Sequence, residues 1–494
     1  MGNNYFSISD LICVAPAIFL FLGSLLPLTI KVLNGNREPS PVLSVALAGI
    51  SLIAALAVTA LWAPTLQSPS LIFSAALVFD GVSVFSTILI LIITGFALIL
   101  VKEHVATKEN LFSETLFLLM NSALGMVILA LANDLIVVFI GIEIMSLCLY
   151  LLIAVSREEK FSKEAAFKYF ILGSLASAIF LYGIAFIYGI AGTTYIHEIS
   201  AQASELISSN LLFLVGASLT ILGFCFKASI APFHAWAPDV YSGAPTPITA
   251  FMATGVKLVT FVAFLRFIRG DYISDDLTGN LVTALQWFSV LTMLVGNIAA
   301  IVQENLKRML AYSSIAHSGY IMMGLIASGV GGEGWRGDLG VMFYVFAYSV
   351  MTLGAFAFVS LLEKHEDDQV LVSRLSGLGQ RSPFLAAVFS LFLLSLAGIP
   401  PLVGFFGKFF LFSAVIKQGL FWLAIWAAVN SVISAYYYLR PIVYMYMKDE
   451  TVDTATGHKN LTYAMVGVLG ALVVVLGIFT EPIYQRILQA ISAF

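Results

Sequence analysis

Three lysines stand where lysines are costly. Lys227 and Lys257 lie in the apolar stretch 211–268, and Lys408 lies in GIPPLVGFFGKFFLFSAV. A lysine at the centre of a membrane helix costs roughly 2.5–3.5 kcal/mol on insertion scales. A carboxylate, Glu143, sits near the middle of LIVVFIGIEIMSLCLYLLIA. Burial disfavours the charged form of a lysine, and a nearby carboxylate favours it. A lysine held between these pulls binds or releases a proton near neutral pH, and moving the carboxylate charge tips it. The chemistry expected is proton transfer, with Glu143 and Lys227 as a coupled pair. Lys257 would take the proton next, and Lys408 would be the terminal site. The plainer readings are a structural ion pair or a protonated acid for Glu143, and snorkelling to a headgroup for the lysines. Snorkelling fits Lys257 poorly, because it is central in its span.

Two histidines extend the set. His317 lies in LKRMLAYSSIAHSGYIMMG among Ser313, Ser314 and Ser318. An imidazole suits proton passage, though a buried histidine is often only a hydrogen-bonded core group. His234 follows Pro232, either as a relay or as a cap on exposed backbone. Asp80 and Asp134 begin apolar runs and read as helix caps. Glu114, Glu164 and Lys168 read as solvated surface. Thr246, Ser174 and Ser177 either support a water chain or bond their own helix backbone.

The elements that position these groups are membrane helices. Of 494 residues, 60% are hydrophobic and 11% are charged, against about 25% charged in soluble domains. The fold class expected is an all-α polytopic membrane protein. Apolar runs of spanning length fall near 11–33, 42–63, 80–101, 113–132, 134–155, 165–190, 211–231, 246–268, 281–302, 307–328, 338–362, 383–418, 420–447 and 460–480. They make about fourteen transmembrane helices for a core about 30 Å thick. The first run lacks a basic n-region and reads as a retained span. Proline breaks helices. Pro232, Pro238, Pro245 and Pro247 interrupt the seventh span and its exit, beside Asp239; Gly398, Pro400 and Pro401 interrupt the twelfth. In hydrocarbon the freed backbone groups need neighbouring helices, polar side chains or a wet cavity. A broken helix beside a buried lysine is the mark of an ion path.

The two breaks are five spans apart. A five-helix unit must invert when repeated, so spans 4–8 and 9–13 are expected to be inverted repeats. The segments are then 1–112, three N-terminal helices; 113–268, the first repeat; 281–447, the second; and 448–494, a C-terminal helix. Basic residues crowd one side, including Lys31, Lys102, Arg157, Lys307, Arg374 and Lys459. Arg266, Arg269, Arg336, Lys417 and Arg486 share the side of the termini. The positive-inside rule then puts both termini on the outer side of the cell inner membrane. Cys13, Cys148 and Cys225 lie inside apolar spans and read as small buried hydrophobes. There is no CxxC, no His/Cys ligand spacing, no GxGxxG and no P-loop. Nothing marks a nucleotide, flavin, metal or iron–sulfur site, or nucleic-acid binding.

The stretch GFCFKASIAPFHAWAPDVYSGAPTPITAFMATGVKL resembles a block of the antiporter-like proton-pumping subunits of respiratory complex I. NDLIVVFIGIEIMSLCLYLL, QENLKRMLAYSSIAHSGYIMMGL, LSLAGIPPLVGFFGKFF and the tyrosine-rich AYYYLRPIVYMY are similar to further blocks. Together they cover spans 4–13. The resemblance implies that Glu143 and Lys227 are the family's coupled pair, Lys257 its connecting lysine and Lys408 its terminal proton site. His317 matches a polar position of the central axis. One paralogue carries a glutamate in place of Lys408, and another carries a long lateral helix absent here. The implied partners are a neighbouring antiporter-like chain, small membrane subunits and the lipid bilayer. NADH, FMN, iron–sulfur clusters and quinone would be handled by other subunits. Two other readings remain: a subunit of a multisubunit cation/proton antiporter, and a structural subunit that conducts nothing.

Overall fold

The computed structural model describes residues 8–63, 69–104, 111–156, 160–269, 276–329, 337–363, 369–449, 459–492 and 494. Arg157 and Arg336 lie outside them. The first six spans are Ile8–Leu33, Pro41–Trp62, Gly81–Glu103, Phe112–Leu131, Leu135–Ser156 and Lys160–Ala191. The seventh is Leu211–Lys227, followed by a break and the short helix Trp236–Gly243. The eighth runs from Thr246 to Ile268, the ninth is Asp276–Ile301, the tenth Leu306–Gly329 and the eleventh Gly337–Leu362. Pro383–Ala397 and Val403–Lys417 make the broken twelfth; Phe421–Met447 and Asn460–Ile478 are the last two. A hairpin, Ser70–Ile72 with Leu77–Phe79, is the one small sheet among the described residues. The amphipathic helices Ile196–Ser209 and Glu481–Ser492 complete the chain.

Ten helices are long and apolar enough to cross a membrane by themselves. The other four of the expected fourteen are the two broken spans, the tenth and the thirteenth. They fall short for a physical reason: each is interrupted or loaded with polar residues, and these helices carry Lys227, His317, Lys408 and Tyr438. The eighth span is buried along its whole length, so no lipid face is available to Lys257.

Ion pairs at the two ends of the bundle fix its parity. Arg266, in the last turn of the eighth span, reaches Asp80, the cap of the third, at 2.6 and 3.2 Å. At the opposite end, His104, which ends the third span, meets Glu363, which ends the eleventh. Thr246, Lys307 and Lys459, at the starts of the eighth, tenth and fourteenth, converge on the same place. Strict alternation of fourteen spans demands this grouping. Asp80 is thus more than a cap, though its capping box with Ser83 is present. Asp134 caps the backbone N–H of Ile136 at 2.6 Å, as expected. Lys307 and Lys459 are not surface charges as their position suggested; both are buried.

Both breaks leave the helix through a left-handed residue: Ser229 at φ 58° and Gly398 at φ 89°. A side chain at position 398 would also press on the Lys408 stem, 2.9 Å from where its Cβ would stand. The freed backbone groups find partners, as hydrocarbon requires. Ser318 Oγ donates to Ala228 O at 2.6 Å, and Trp236 Nε1 donates to Phe226 O at 3.0 Å. Ala231 N donates to Thr292 Oγ1 at 2.9 Å, and Lys408 Nζ donates to Ala397 O at 2.8 Å. Each break is therefore sewn to the tenth span, the ninth span or its own lysine.

Candidate proton path

Lys227 ends the first half of its broken helix and is 3% exposed. Its Nζ donates to Ser146 Oγ at 2.8 Å and lies 5.8 Å from the ring centres of Tyr150, Tyr169 and Phe226. Trp236 stacks on Tyr169 at 4.5 Å and closes the cage. Glu143 stands one helical turn before Ser146, on the same face of the fifth span. It is half-buried and accepts a hydrogen bond from Ser177 Oγ. No direct ion pair joins Glu143 to Lys227; the carboxylate acts on the ammonium through space, with Ser146 as the intervening hydroxyl. The two expected partners are near but not in contact, and the carboxylate is held by Ser177, not by the ammonium.

Lys257 follows a π-helical turn, Met252–Val256, a feature often found at functional positions. It is 3% exposed, and its Nζ donates to Ser314 O and to Ser314 Oγ, the latter at 2.5 Å. Tyr348 donates to the same Ser314 Oγ at 2.8 Å, with its ring 5.0 Å from the ammonium. One turn along the tenth span, His317 is held at both ring nitrogens. Nδ1 lies 2.5 Å from Tyr344 Oη and Nε2 lies 2.8 Å from Tyr438 Oη. Tyr438 also bonds Ser313 Oγ.

Lys408 is 6% exposed and donates to Ser431 Oγ at 3.0 Å as well as to Ala397 O. Its ammonium lies 5.0 Å over the ring of Tyr320, which is one turn from His317. Lys257, His317 and Lys408 are thus gathered around one helix, the tenth, by Ser314, His317 itself and Tyr320. Ser318 of the same helix reaches the break that follows Lys227. Snorkelling fails for all three lysines: none reaches an outer surface. Each is held by hydroxyls, carbonyls and ring faces, with no carboxylate in contact. Such groups stabilise a proton without pinning it as an ion pair would.

The Tyr169 hydroxyl, beside Lys227, is buried and makes no hydrogen bond among the described residues, whereas the Tyr150 hydroxyl faces Ser146 and the Tyr320 hydroxyl faces Asn297 and Ser431. Buried polar groups are almost always satisfied, by protein or by ordered water.

His234 is not brought to the lysines. Its ring lies against the Pro232 backbone, and its Nδ1 is buried with no hydrogen-bond partner among the described residues. Asp239 is not deep in the bilayer; it pairs with Arg308 at 2.8 Å and with Lys168 at 2.9 Å at the helix ends. Lys168 also pairs with Glu164 at an exposed position, and Glu114 with Lys31. Ser177 and Thr246 do not merely bond their own helix; each donates to a carboxylate.

Sequence reasoning missed the tyrosines and a second buried cluster. Glu363 Oε2 lies 2.7 Å from His104 Nε2, and Thr246 donates to Oε1 at 2.6 Å. Lys307 Nζ lies 3.6 Å from the same carboxylate, and Lys459 donates to Glu363 O at 3.1 Å. Burial pushes the Glu363 carboxyl up, but Lys307, then His104 and Thr246, hold it well below the usual carboxylate range. The signal was a Glu, a His and two Lys at helix ends, which looks like ordinary solvated surface.

Residues 132–434 match the family described as NADH:quinone oxidoreductase/Mrp antiporter, TM. The chain is 52% identical to NADH-quinone oxidoreductase subunit N of Bdellovibrio bacteriovorus, covering 98% of this chain and 99% of the relative. It is similar to a chain of respiratory complex I from Thermus thermophilus at TM-score 0.80 and 32% identity, covering 95% of this chain and 98% of that one. A chain of the Mrp complex from Dietzia sp. superposes at TM-score 0.84 and 20% identity, covering 98% and 97%; that likeness concerns the fold alone.

Proposed function

This chain belongs to the NADH:quinone oxidoreductase/Mrp antiporter membrane family, in its subunit N group, and from that premise we propose that protons cross it by way of Glu143, Lys227, Lys257, His317 and Lys408. It is a multi-pass, proton-translocating subunit of the membrane arm of an NADH-quinone oxidoreductase. Its partners are other membrane subunits of that arm, an antiporter-like neighbour among them. The antiporter reading shares the fold, but the relatives that match over the whole chain carry the oxidoreductase name.

The observation that supports the path is the string of buried cations and hydroxyls along the tenth span. A change in the Glu143 charge, driven from a neighbouring subunit, alters the hold of Lys227 on its proton. The proton moves inward to Lys257 at Ser314, past His317 between Tyr344 and Tyr438, to Lys408. His317 can accept at one nitrogen and donate at the other. Lys408 releases the proton, and the string refills. His234 stands aside. Spans 4–8 and 9–13 act as two inverted half-units, each with one break and one lysine beside it. The basic face lies toward the cytoplasm and both termini lie outside, across the inner membrane.

Redox chemistry belongs to other subunits. Among the described residues the three cysteines are free and no group of three potential metal ligands occurs.

The carboxylate is the first test. In assembled complex in sealed vesicles, Glu143→Gln keeps shape and hydrogen bonding but removes the charge that acts on Lys227. Protons moved per electron should fall at least about tenfold, the scale of a lost acid–base group, while Glu143→Asp retains part of the wild-type ratio. A wild-type ratio in Glu143→Gln refutes the path at its first step.

A further inference from the structure

The buried cluster at the basic end has no place in the path above. Its geometry is unlike a simple clamp. The Glu363 carboxylate faces His104 from the end of the third span and Lys307 from the tenth, with Thr246 from the eighth donating to it, while Lys459 from the fourteenth donates to the Glu363 and Ser360 carbonyls. Glu103, beside His104 in the chain, is occupied by the backbone N–H groups of Leu461 and Thr462. The side chains of His104 and Glu363 are each 1% exposed. A hydrophobic core would hold these helix ends together without ions, and buried ion pairs are weak evidence for stability. The imidazole feels opposed charges. Glu363 favours its protonated form; Lys307, on the same carboxylate, disfavours it.

The cluster also sits at the mouth of the path. Thr246 begins the helix that carries Lys257, and Lys307 begins the helix that carries Ser314. At helical rise, Ser314 is about 10 Å from Lys307 and Lys257 is about 16 Å from Thr246 along their helices. Polar groups fill the interval. Lys307 donates to Ala244 O at 2.7 Å, Thr249 donates to Tyr241 O at 3.0 Å, and the Tyr241 side chain engages Ser314, the partner of Lys257.

We propose that His104, with Glu363 as its fixed counter-charge, is a proton-uptake site that feeds Lys257 from the basic face. The inference rests on the proton path proposed above. The step is a pure proton transfer. A proton from bulk water adds to the imidazole, whose N–H then donates to the Glu363 carboxylate. Its departure toward the Lys257 amine restores the neutral ring, and Glu363 stays ionised throughout. Lys307 limits the lifetime of the imidazolium and so favours its release. Within this scheme His104 transfers the proton, and Glu363 and Thr246 are positioning residues.

The test uses assembled complex in sealed vesicles, with protons moved per electron read from about pH 6 to pH 9, the range that brackets an imidazole. The wild type should show an inflection in that range. His104→Gln should lose the inflection and, at the acidic end, where the wild-type imidazole is protonated, at least about tenfold of the pumping. Glu363→Gln, lacking the charge that favours imidazolium, should move the inflection to lower pH. Thr246→Val removes one donor from Glu363 without changing any charge, makes the carboxylate a stronger partner and should move the inflection to higher pH. It carries the test if the other two fail to assemble. Pumping within about twofold of wild type with an unmoved inflection overturns the assignment, and so does an equal fractional loss at every pH, which is the signature of a clamp. Lys227→Ala, run in parallel, separates the two ideas. If it is inactive while His104→Gln pumps normally, only the uptake site falls; if it pumps normally, the path beneath falls first.

Discussion

Lys227→Ala should assemble into the complex and cut protons moved per electron at least about tenfold, the scale of a lost proton carrier. Assembly is expected because Lys227 has no ion-pair partner to strand. Among the described residues its one hydrogen-bond partner is Ser146 Oγ, a hydroxyl that can turn to a carbonyl of its own helix, and Ser146 already bonds Ile142 O. Removing one member of a true buried ion pair would be far more damaging. Pumping should fail because the group that answers to Glu143 is gone. Lys227→Arg sharpens the point. Arginine keeps the positive charge and the donors but does not release a proton at any accessible pH. A structural cation would be replaced well by arginine; a proton carrier would not. Loss of pumping in both variants, with assembly checked by native electrophoresis, is the expected outcome.

Lys408 should show the same pattern at the far end. Lys408→Ala and Lys408→Arg are both expected to lose about tenfold or more of the pumping, by the same measurement. The fit is tight here. The stem passes beneath Gly398, and the ammonium bonds Ala397 O and Ser431 Oγ over Tyr320. A planar guanidinium reaches these acceptors but holds its proton. Lys408→Glu returns a titratable group and should recover more activity than arginine. Activity with arginine and none with glutamate would mark Lys408 as a structural charge.

Much of this was legible before any coordinates. A charge in an apolar run is conspicuous because its transfer cost is large, so Glu143, Lys227, Lys257 and Lys408 stand out in the chain. The breaks are equally plain, because proline removes a donor and glycine permits a left-handed exit. What the chain hides is partnership. Ser146 lies one turn from Glu143, and nothing in its spacing says that it, not the carboxylate, touches Lys227. The tyrosines look like ordinary membrane aromatics; only packing turns Tyr150, Tyr169, Tyr320, Tyr344, Tyr348 and Tyr438 into a lining. Glu363, Lys307, Lys459 and Arg266 were hidden for the opposite reason. Charges at helix ends are normally solvated; the closeness of five span ends buries three of these together with His104, and Arg266 is buried against Asp80 at the opposite end. Asp239 misled in the reverse sense: it sits in an apolar stretch, but the break carries it to the helix ends, where Arg308 and Lys168 meet it.

The central claim is that water joins the buried ammonium groups into one conducting line. A density map of the assembled complex that resolves ordered water tests this most directly. The account predicts a line of waters, one of them against the Tyr169 hydroxyl, continuous from Lys227 through Lys257 and His317 to Lys408. A dry, apolar seal between any two of those groups in every state of the turning-over complex would contradict it.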